Sequence, residues 1–566
     1  MINLKAKPFF LDDEGCEWVM NTLNNMDVRE KVGQLFCEIL WDKEDVDLES
    51  LFKEINPGAI MYRPFTGKRM REFSERLQEL SKIPLLIACN LERGGSGGNG
   101  GLTNGTYMAS PMGVSATNEK LQAFRLGKIA AREGTAVGIN WTFEPIVDID
   151  INCDNPITNV RTFGSDVDRI IDMAKGYMDG CREYGIAVTI KHFPGDGVDY
   201  RDQHLMASVN SLPADKWFDT YGRIYQTLID YGAQTLMSAH IKQPELTKLI
   251  NPGIRDEDIM PGSLSMELNQ GIIRERMGFN GIIITDATQM AGFTCSLERK
   301  KAVPLSIAHG ADMFLFSINQ REDVHYMLQG LEEGLLTEER LNEAVTRILA
   351  LKASLKLHTG KEKKAFVPGE DALTVIRCEE HIKWARECAD KCITLVKDKD
   401  NLLPLSPGKY PKVKLMVSTN EKCNGYLPEA LYFKELLEKE GFQVTWFNEG
   451  NIPGAGMSIK EFREEADLII YYANMKVGSN QTSIRLTWDD FLGESSPKYV
   501  NEIKTLFLSF SNPYHLVDVP MVKTYINAYS SNNYTVEAMI EKLLGRSVFK
   551  GISPVDPYGK LWDTHL

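Results

Sequence analysis

The feature that most constrains this chain is a regular alternation of short apolar segments and helix-length segments between residues 27 and 357. The apolar segments, each typical of a buried strand, cover 57–62, 83–89, 139–147, 186–190, 234–238, 281–285 and 311–316. Segments of helical pattern lie between them, such as 68–82, 119–138, 166–185, 214–232 and 266–278. Because strand and helix alternate through seven or eight repeats, the pattern predicts a parallel sheet closed into a (β/α)8 TIM-type barrel.

The chain extends well beyond this alternation, and its 566 residues exceed what a single hydrophobic core organises. We predict a catalytic TIM-type barrel over 1–362, a linker and connecting helix over 363–411, and a smaller open α/β sandwich over 412–566. The sandwich is expected to have about five strands. It contains no GxGxxG motif, so dinucleotide binding is not supported.

Composition and charge argue against several classes of partner. The 64 Lys and Arg against 78 Asp and Glu give a net charge of −14, which disfavours nucleic acid and an anionic membrane surface. The sequence has no signal-peptide pattern and no apolar run of about 18 residues, so we expect a cytoplasmic protein. The ten cysteines form no CxxC pair, which is typical of buried free thiols rather than of a zinc site or a disulfide frame.

Polar side chains follow the carboxyl end of nearly every predicted strand. In chain order they are Asn90 and Glu92, Asp148, Lys191 and His192, His240, and Asp286. In a parallel barrel these ends share one rim, where loops converge on substrate. The sequence therefore predicts an active site assembled from six separate segments, namely these five strand ends and the loop of Asp202 and His204.

Two of these segments carry groups suited to covalent and proton-transfer chemistry. Asp286 directly follows an apolar strand, where it could be a nucleophile or an ordinary helix N-cap. Asp202 and His204 have the spacing of an acid that orients a histidine, although a solvated loop pair has the same spacing. Lys191 and His192 suit hydrogen bonding to sugar hydroxyls; a Schiff-base lysine and a core histidine are the alternatives.

Two other classes of protein stay open on residue types alone. His192, His204, His240 and Asp286 could converge on zinc in a metal-dependent TIM-barrel hydrolase, although no HxH or HExxH spacing supports it. A non-catalytic sugar-binding protein would also keep the polar rim. The glycine run at 94–101 is either a loose rim loop or a set of backbone N–H groups for an anion or a hydroxyl.

Three motifs in order resemble those of glycoside hydrolase family 3, in its β-N-acetylglucosaminidase branch. In chain order they are FEPIVDIDINCDNPITNVRTFGSD, KHFPGDGVDYRDQH, and PGSLS followed by IIRERMGFNGIIITDATQM. The resemblance implies a retaining exo-β-glycosidase for β-N-acetylglucosaminides, β-glucosides or both, without metal or organic cofactor. It implies Asp286 as nucleophile and His204 as acid/base with Asp202 as its partner. Sugar-binding positions fall on Asn90, Arg161, Lys191 and His192, and we add His240 and Asp148 from the strand-end pattern.

The chain departs from the family pattern at two places. Asn90 stands where the family has an acid that binds a sugar hydroxyl, and the arginine that follows in the family lands near Gly98. Asp196 replaces the second histidine of KHFPGHG. A histidine acid/base also tolerates an anionic acceptor better than a carboxylate does, and this branch contains phosphorylases, so inorganic phosphate is an alternative acceptor to water.

Overall fold

The computed structural model describes residues 2–43, 47–97, 100–359, 366–422, 426–447, 453, 456–488 and 491–566. The chain forms two compact units. The first comprises Met1–Tyr107, Ala123–Ile151 and Val167–His381, and the second comprises Met108–Gln122, Asn152–Asp166 and Ile382–Leu566.

The first unit is a closed barrel of eight parallel strands. The strands are β1 (Phe36–Leu40), β2 (Ala59–Tyr62), β3 (Leu86–Cys89), β4 (Trp141–Thr142), β5 (Ala187–Phe193), β6 (Thr235–Ser238), β7 (Ile282–Thr285) and β8 (Phe314–Leu315). They pair in the order β7-β6-β5-β4-β3-β2-β1-β8. A parallel bridge between Ile284 and Met313 joins β7 to β8 and closes the ring. The predicted (β/α)8 barrel is thus confirmed.

Helices precede and follow these strands along the chain. Those up to residue 354 are Asp13–Asn24, Val28–Gln34, Leu48–Glu54, Gly67–Leu80, Pro111–Ala116, Lys120–Ala136, Val167–Arg182, Ala214–Trp217, Arg223–Tyr231, Pro244–Ile250, Ala291–Thr294, Arg299–Ala308, Gln320–Glu332 and Glu338–Ser354. Phe218–Gly222 and Glu267–Arg276 are π-helical. Within the described residues, no helix combines the length and apolar character needed to cross a bilayer.

Local sequence explains where several of these elements begin and end. The Asp27 side chain accepts a hydrogen bond from the Glu30 N–H while the Glu30 side chain accepts one from the Asp27 N–H, a capping box that starts Val28–Gln34. Gly232, with φ of 102°, ends Arg223–Tyr231 in the left-handed region that favours glycine. β5 is buried at all seven positions, as a strand covered on both faces requires.

The predicted strands differ from the observed ones in extent, and one barrel strand was not predicted. The 139–147 segment forms only a two-residue strand, Trp141–Thr142, and a single further bridge from Ile146 to Lys191. β5 continues through Lys191 and His192 to Phe193. β1 was not among the predicted strands, since its sequence FCEIL follows the helix Val28–Gln34 after a single residue.

The second unit contains a six-stranded sheet. Its strands are β9 (Thr394–Asp398), β10 (Lys412–Thr419), β11 (Gln443–Trp446), β12 (Leu468–Asn474), β13 (Lys504–Ser509) and β14 (Thr524–Asn527). Their order is β9-β14-β13-β12-β10-β11, and only β9 runs antiparallel to its neighbour among these six. The associated helices are Glu379–Cys392, Pro428–Lys439, Ile459–Glu465 and Asn533–Leu543. An open α/β domain after the barrel is confirmed.

The compact units do not follow the sequence boundaries we predicted. The expected boundary after residue 362 lies outside the described residues. The second unit begins its long segment at Ile382, so most of the helix Glu379–Cys392 and the strand β9, both expected in the linker, belong to it. Two segments from the predicted barrel range also join it, because contacts in space and not order in the chain define a compact unit.

Candidate active site

Asp286 directly follows β7 at the rim of the barrel. Asp286 is 9% exposed, and its Oδ1 accepts a hydrogen bond from the Ala287 N–H at 2.7 Å. Burial raises the pKa of Asp286, but the nearby imidazoles of His192, His240 and His204 lower it, and the net result lies below the ordinary carboxyl value. Asp286 is therefore ionised at neutral pH, as a nucleophile requires.

His204 lies in the loop after β5 and is paired with Asp202. The Nδ1 of His204 is 2.7 Å from Oδ1 of Asp202, and the same oxygen accepts the His204 backbone N–H at 2.9 Å. The Asp202 side chain is fully buried, whereas that of His204 is 26% exposed. A buried acid on Nδ1 fixes the ring and directs Nε2 away from it, the arrangement of an oriented acid/base.

The loop that carries His204 is bound to the segment that follows Asp286. The N–H groups of Ala291 and Gly292 donate to the carbonyls of His204 and Gln203, at 3.0 and 3.2 Å. A Cβ added at Gly292 would lie 2.7 Å from the Gln203 oxygen, so only glycine permits this approach. Backbone hydrogen bonds therefore link the loop that carries His204 to the segment that follows Asp286.

Lys191 and His192, at the end of β5, are each held by a carboxylate. The Lys191 Nζ is 3.0 Å from Oε1 of Glu144 and donates to Oδ1 of Asn90 at 3.4 Å. The Nδ1 of His192 is 2.6 Å from Oδ2 of Asp148. These pairs bring together four of the predicted substrate-binding residues, two of which, Asn90 and Asp148, come from other strand ends.

His240, after β6, has both ring nitrogens occupied by protein. Its Nδ1 is 2.8 Å from Oγ of Ser263, and its Nε2 is 2.9 Å from the carbonyl oxygen of Ala287. Burial lowers the pKa of His240, against the effect of Asp286, so the ring is neutral and Nε2–H donates to Ala287. His240 therefore fixes the residue next to Asp286, and the geometry favours a supporting position over direct contact with substrate.

Arg161 is the one predicted site residue outside the barrel unit. It ends the short 3-10 helix Asn159–Arg161 within a segment that belongs to the second unit. Its Nη1 donates a hydrogen bond to the Ile157 carbonyl at 3.0 Å.

The glycine run is packed rather than loose in its described part. Gly94, Gly95, Gly100 and Gly101 are buried, and a Cβ at Gly95 would lie 1.8 Å from Oε2 of Glu133. Glu133 itself accepts the Thr106 N–H at 2.8 Å. Close packing against a buried carboxylate therefore explains a glycine here. Gly98, where the family arginine would fall, lies outside the described residues.

Two observations bear on the zinc alternative. Among residues that the structure describes, no group of three or more His, Cys, Asp or Glu side chains is arranged to hold a metal ion. The ring nitrogens of His240, and Nδ1 of His192 and of His204, already contact protein groups.

Sequence reasoning missed three residues of this site. Glu144, the partner of Lys191, follows β4 and could have been found as a carboxylate at a strand end. Gln203 accepts the His240 N–H through Oε1 at 2.9 Å, and Gly292 lies against the loop. Neither Gln203 nor Gly292 carries a signal of its own, because their contacts depend on how the loops pack.

The barrel rim holds a buried carboxylate, two histidine–aspartate pairs and a buried lysine, which are groups suited to nucleophilic and acid–base chemistry. The model of the glycosyl hydrolase family 3 N terminal domain matches residues 27–351, and the chain belongs to that family. A "Beta-N-acetylglucosaminidase/beta-glucosidase" from Cellulomonas fimi is 42% identical over the full length of both chains. The protein is accordingly an enzyme that acts on carbohydrate.

Two solved structures share this architecture. "Beta-glucoside phosphorylase BglX bound to 2FGlc" superposes with a TM-score of 0.96 at 62% identity, covering 99% of each chain. A family 3 β-N-acetylglucosaminidase from Paenibacillus sp. str. FPU-7 has a TM-score of 0.78 at 22% identity, over 95% of this chain and 100% of that one. The second likeness concerns the fold alone.

Proposed function

We propose that the protein is a retaining exo-β-glycosidase that cleaves β-N-acetylglucosaminides, β-glucosides or both. The observation that carries the proposal is the ionised, nearly buried Asp286 carboxylate close to the imidazole of His204. One group is suited to attack an anomeric carbon, and the other to transfer protons near neutral pH.

The reaction has two steps. In the first, a carboxylate oxygen of Asp286 bonds to the anomeric carbon while His204 donates its proton to the leaving oxygen. In the second, neutral His204 takes a proton from the acceptor, which displaces Asp286 from the sugar. Asp202, hydrogen-bonded to Nδ1 of His204 at 2.7 Å, stabilises the imidazolium form between the steps.

Three of the remaining predicted residues suit sugar binding. Lys191, Asn90 and His192 offer donors and acceptors for hydroxyl groups, with Glu144 and Asp148 holding them in place. We keep Arg161 as a proposed substrate-binding residue on its motif alone. The similarity to a β-N-acetylglucosaminidase/β-glucosidase supports both classes of donor sugar.

A second candidate function is phosphorolysis, in which inorganic phosphate replaces water in the second step. The 62% identical β-glucoside phosphorylase supports it, and so does a histidine base, which does not repel an anion as a carboxylate would. The product would be a sugar 1-phosphate.

One experiment tests the proposal and separates the two acceptors. Aryl β-glucosides and aryl β-N-acetylglucosaminides are incubated with wild type and Asp286→Ala, with and without phosphate, and the sugar products are identified. We expect Asp286→Ala to lose about 10³-fold or more in kcat. The exposed Asp13, 90% accessible at its side chain, provides a matched Asp13→Ala control that should keep activity.

The products decide the acceptor. Free sugar at the same rate with or without phosphate supports hydrolysis, whereas sugar 1-phosphate that requires phosphate supports phosphorolysis. Near-full activity of a folded Asp286→Ala enzyme would remove Asp286 from its role.

We also propose that the barrel and the sandwich are separate domains and that catalysis belongs to the barrel.

We further propose that the enzyme works in the cytoplasm. Every cysteine in the described part of the chain is free, as expected in a reducing compartment. Phosphorolysis would keep the sugar phosphate inside the cell.

A further inference from the structure

The barrel unit contains a fully buried carboxylate that takes no part in the proposed chemistry. Glu133 lies on the helix Lys120–Ala136, and its side chain is 0% exposed. A glutamate is almost never fully buried unless partners replace the water that its carboxylate has lost. The partners of Glu133 therefore indicate what this residue holds in place.

One set of partners belongs to the loop that follows β3. The Thr106 N–H donates to Oε2 of Glu133 at 2.8 Å, and the Thr106 hydroxyl donates to Oε1. Gly95 lies against the same carboxylate, since a Cβ there would be 1.8 Å from Oε2. The two ends of the loop also meet directly, because the Ser96 N–H donates to the Thr106 carbonyl at 3.1 Å. Glu133 thus closes the base of this loop.

We call the described residues of this loop, 94–97 and 100–106, the glycine loop. It forms a small hairpin in which Ser96 pairs with Gly101 and Gly97 with Gly100. The Leu102 N–H donates to the Gly95 carbonyl at 2.9 Å. Backbone hydrogen bonds therefore connect the base of the loop, where Glu133 binds, to Gly100 and Gly101.

The glycine loop packs directly on Asn90, one of the proposed sugar-binding residues. A Cβ at Gly100 would lie 2.9 Å from the Asn90 Cβ and 3.1 Å from its backbone nitrogen. The Gly101 N–H donates to Sγ of Cys89 at 2.9 Å, next to Asn90 in the chain. The position of Asn90 consequently depends on where the loop backbone lies.

The other partners of Glu133 come from residues beyond the last barrel helix. The Arg377 N–H donates to Oε1 at 3.0 Å, and Nδ1 of His381 lies 2.7 Å from the same oxygen. The His381 side chain is also 0% exposed. Both oxygens of Glu133 are therefore occupied by donors, and the carboxylate joins the glycine loop to Arg377 and His381.

We propose that Glu133 is a positioning residue for the donor sugar, which anchors the glycine loop and through Gly100 sets the position of Asn90. This inference rests on the proposed function, which gives Asn90 its part in sugar binding. Since Glu133 is buried, it acts on the sugar only through the loop. It adds a determinant of sugar affinity that lies outside the residues in contact with the substrate.

The experiment uses Glu133→Gln, which keeps the shape of the side chain and replaces one acceptor oxygen with an NH2 group. Either orientation of the amide places that group against an N–H donor, so the anchor is lost. Aryl β-glucoside and aryl β-N-acetylglucosaminide are assayed with wild type, Glu133→Gln, Asn90→Ala and the double variant. We expect kcat/KM to fall about tenfold in Glu133→Gln, mainly through a higher KM.

The double variant separates positioning from a general structural effect. If Glu133 acts through Asn90, the double variant should lose no more kcat/KM than Asn90→Ala alone, because both changes remove one interaction. Losses that multiply would contradict this route, and so would an Asn90→Ala enzyme with wild-type kcat/KM.

Variants of His381 test the anchor from its other side. His381→Asn keeps an N–H donor near the place of Nδ1 and should retain most of kcat/KM, whereas His381→Leu should lose about as much as Glu133→Gln. Equal losses in the two His381 variants would contradict the role of this hydrogen bond. The matched control is Glu14→Gln, at an exposed glutamate of the helix Asp13–Asn24, which should keep wild-type kinetics.

Hydrogen exchange judges the anchor even if neither glycoside is turned over. Amides of residues 91–106 should exchange about tenfold faster in Glu133→Gln than in wild type, while peptides that contain β5 and β7 keep their wild-type rates. Unchanged exchange in 91–106, or equal acceleration across the barrel, would overturn the proposal. Absence of turnover by wild type would instead count against the proposed function.

Discussion

At the scale of single residues, two of the three histidines of the site, His192 and His204, are each paired with an acid. Asp148 occupies Nδ1 of His192 and Asp202 occupies Nδ1 of His204. In the part of the chain that the structure describes, Nε2 of each ring has no hydrogen-bond partner. The paired acids thus fix the orientation of each ring and leave Nε2 as the nitrogen available to a sugar in the proposed function, and burial of both carboxylates strengthens that preference.

His204→Ala should distinguish an acid/base from a merely polar rim residue. Because protonation matters most when the leaving group is a poor one, kcat/KM should fall about 10²–10⁴-fold for an alkyl β-glycoside and far less for a dinitrophenyl β-glycoside. The comparison of both substrates with the same variant is the measurement. An equal loss on the two would argue against proton donation by His204.

At the scale of elements, the loop of residues 199–206 depends on a backbone contact with the segment after β7. The contact consists of two hydrogen bonds, from Ala291 and Gly292, and it leaves no room for a side chain at Gly292. The position of His204 relative to Asp286 is therefore set by a glycine outside the motif that contains His204.

Gly292→Ala should move the loop without removing a reacting group. A Cβ there would lie 2.7 Å from both the Gln203 oxygen and the His240 Cβ, so the backbone must shift. Misplacement by about 1 Å costs on the order of 10²-fold, and we expect kcat/KM for a poor leaving group to fall about 10–100-fold. The loss should be smaller for an activated aryl glycoside.

The control for this variant is Gly253→Ala, since a Cβ at Gly253 meets nothing within 4 Å. Gly253→Ala should retain wild-type kinetics. If Gly292→Ala behaved like this control, the contact would have no part in positioning His204.

At the scale of the whole molecule, the barrel unit also buries an ionisable side chain away from the proposed active site. Lys352, on the helix Glu338–Ser354, is fully buried, and its Nζ donates to Oε1 of Gln34 at 2.6 Å. Burial lowers the pKa of Lys352 to about 7. Between about pH 7 and pH 10 the Lys352 amine therefore binds more protons in the unfolded chain than in the folded protein. The contribution of Lys352 to the free energy of unfolding consequently rises with pH over this range.

Lys352→Met should stabilise the protein in a pH-dependent way. The free energy of unfolding should increase by about 1–3 kcal/mol at pH 7 and below, and the gain should shrink as pH rises toward 10. Thermal unfolding midpoints across pH 6–10 measure it. Lys68→Met, at a lysine whose side chain is 68% exposed, is the control, and a gain independent of pH would contradict the prediction.

The sequence by itself determined the barrel, the open α/β domain and the chemistry at the strand ends, because these follow from local patterns of apolar and polar residues. Asp286, Lys191 and His204 could be named without a structure, since each stands next to an apolar strand or within a distinctive motif. Only the tertiary structure decided that Glu144 holds Lys191, that Gly292 supports the His204 loop and that Arg161 belongs to the second unit. Those contacts join residues far apart in the chain, so they depend on strand order and barrel closure, which no local pattern contains.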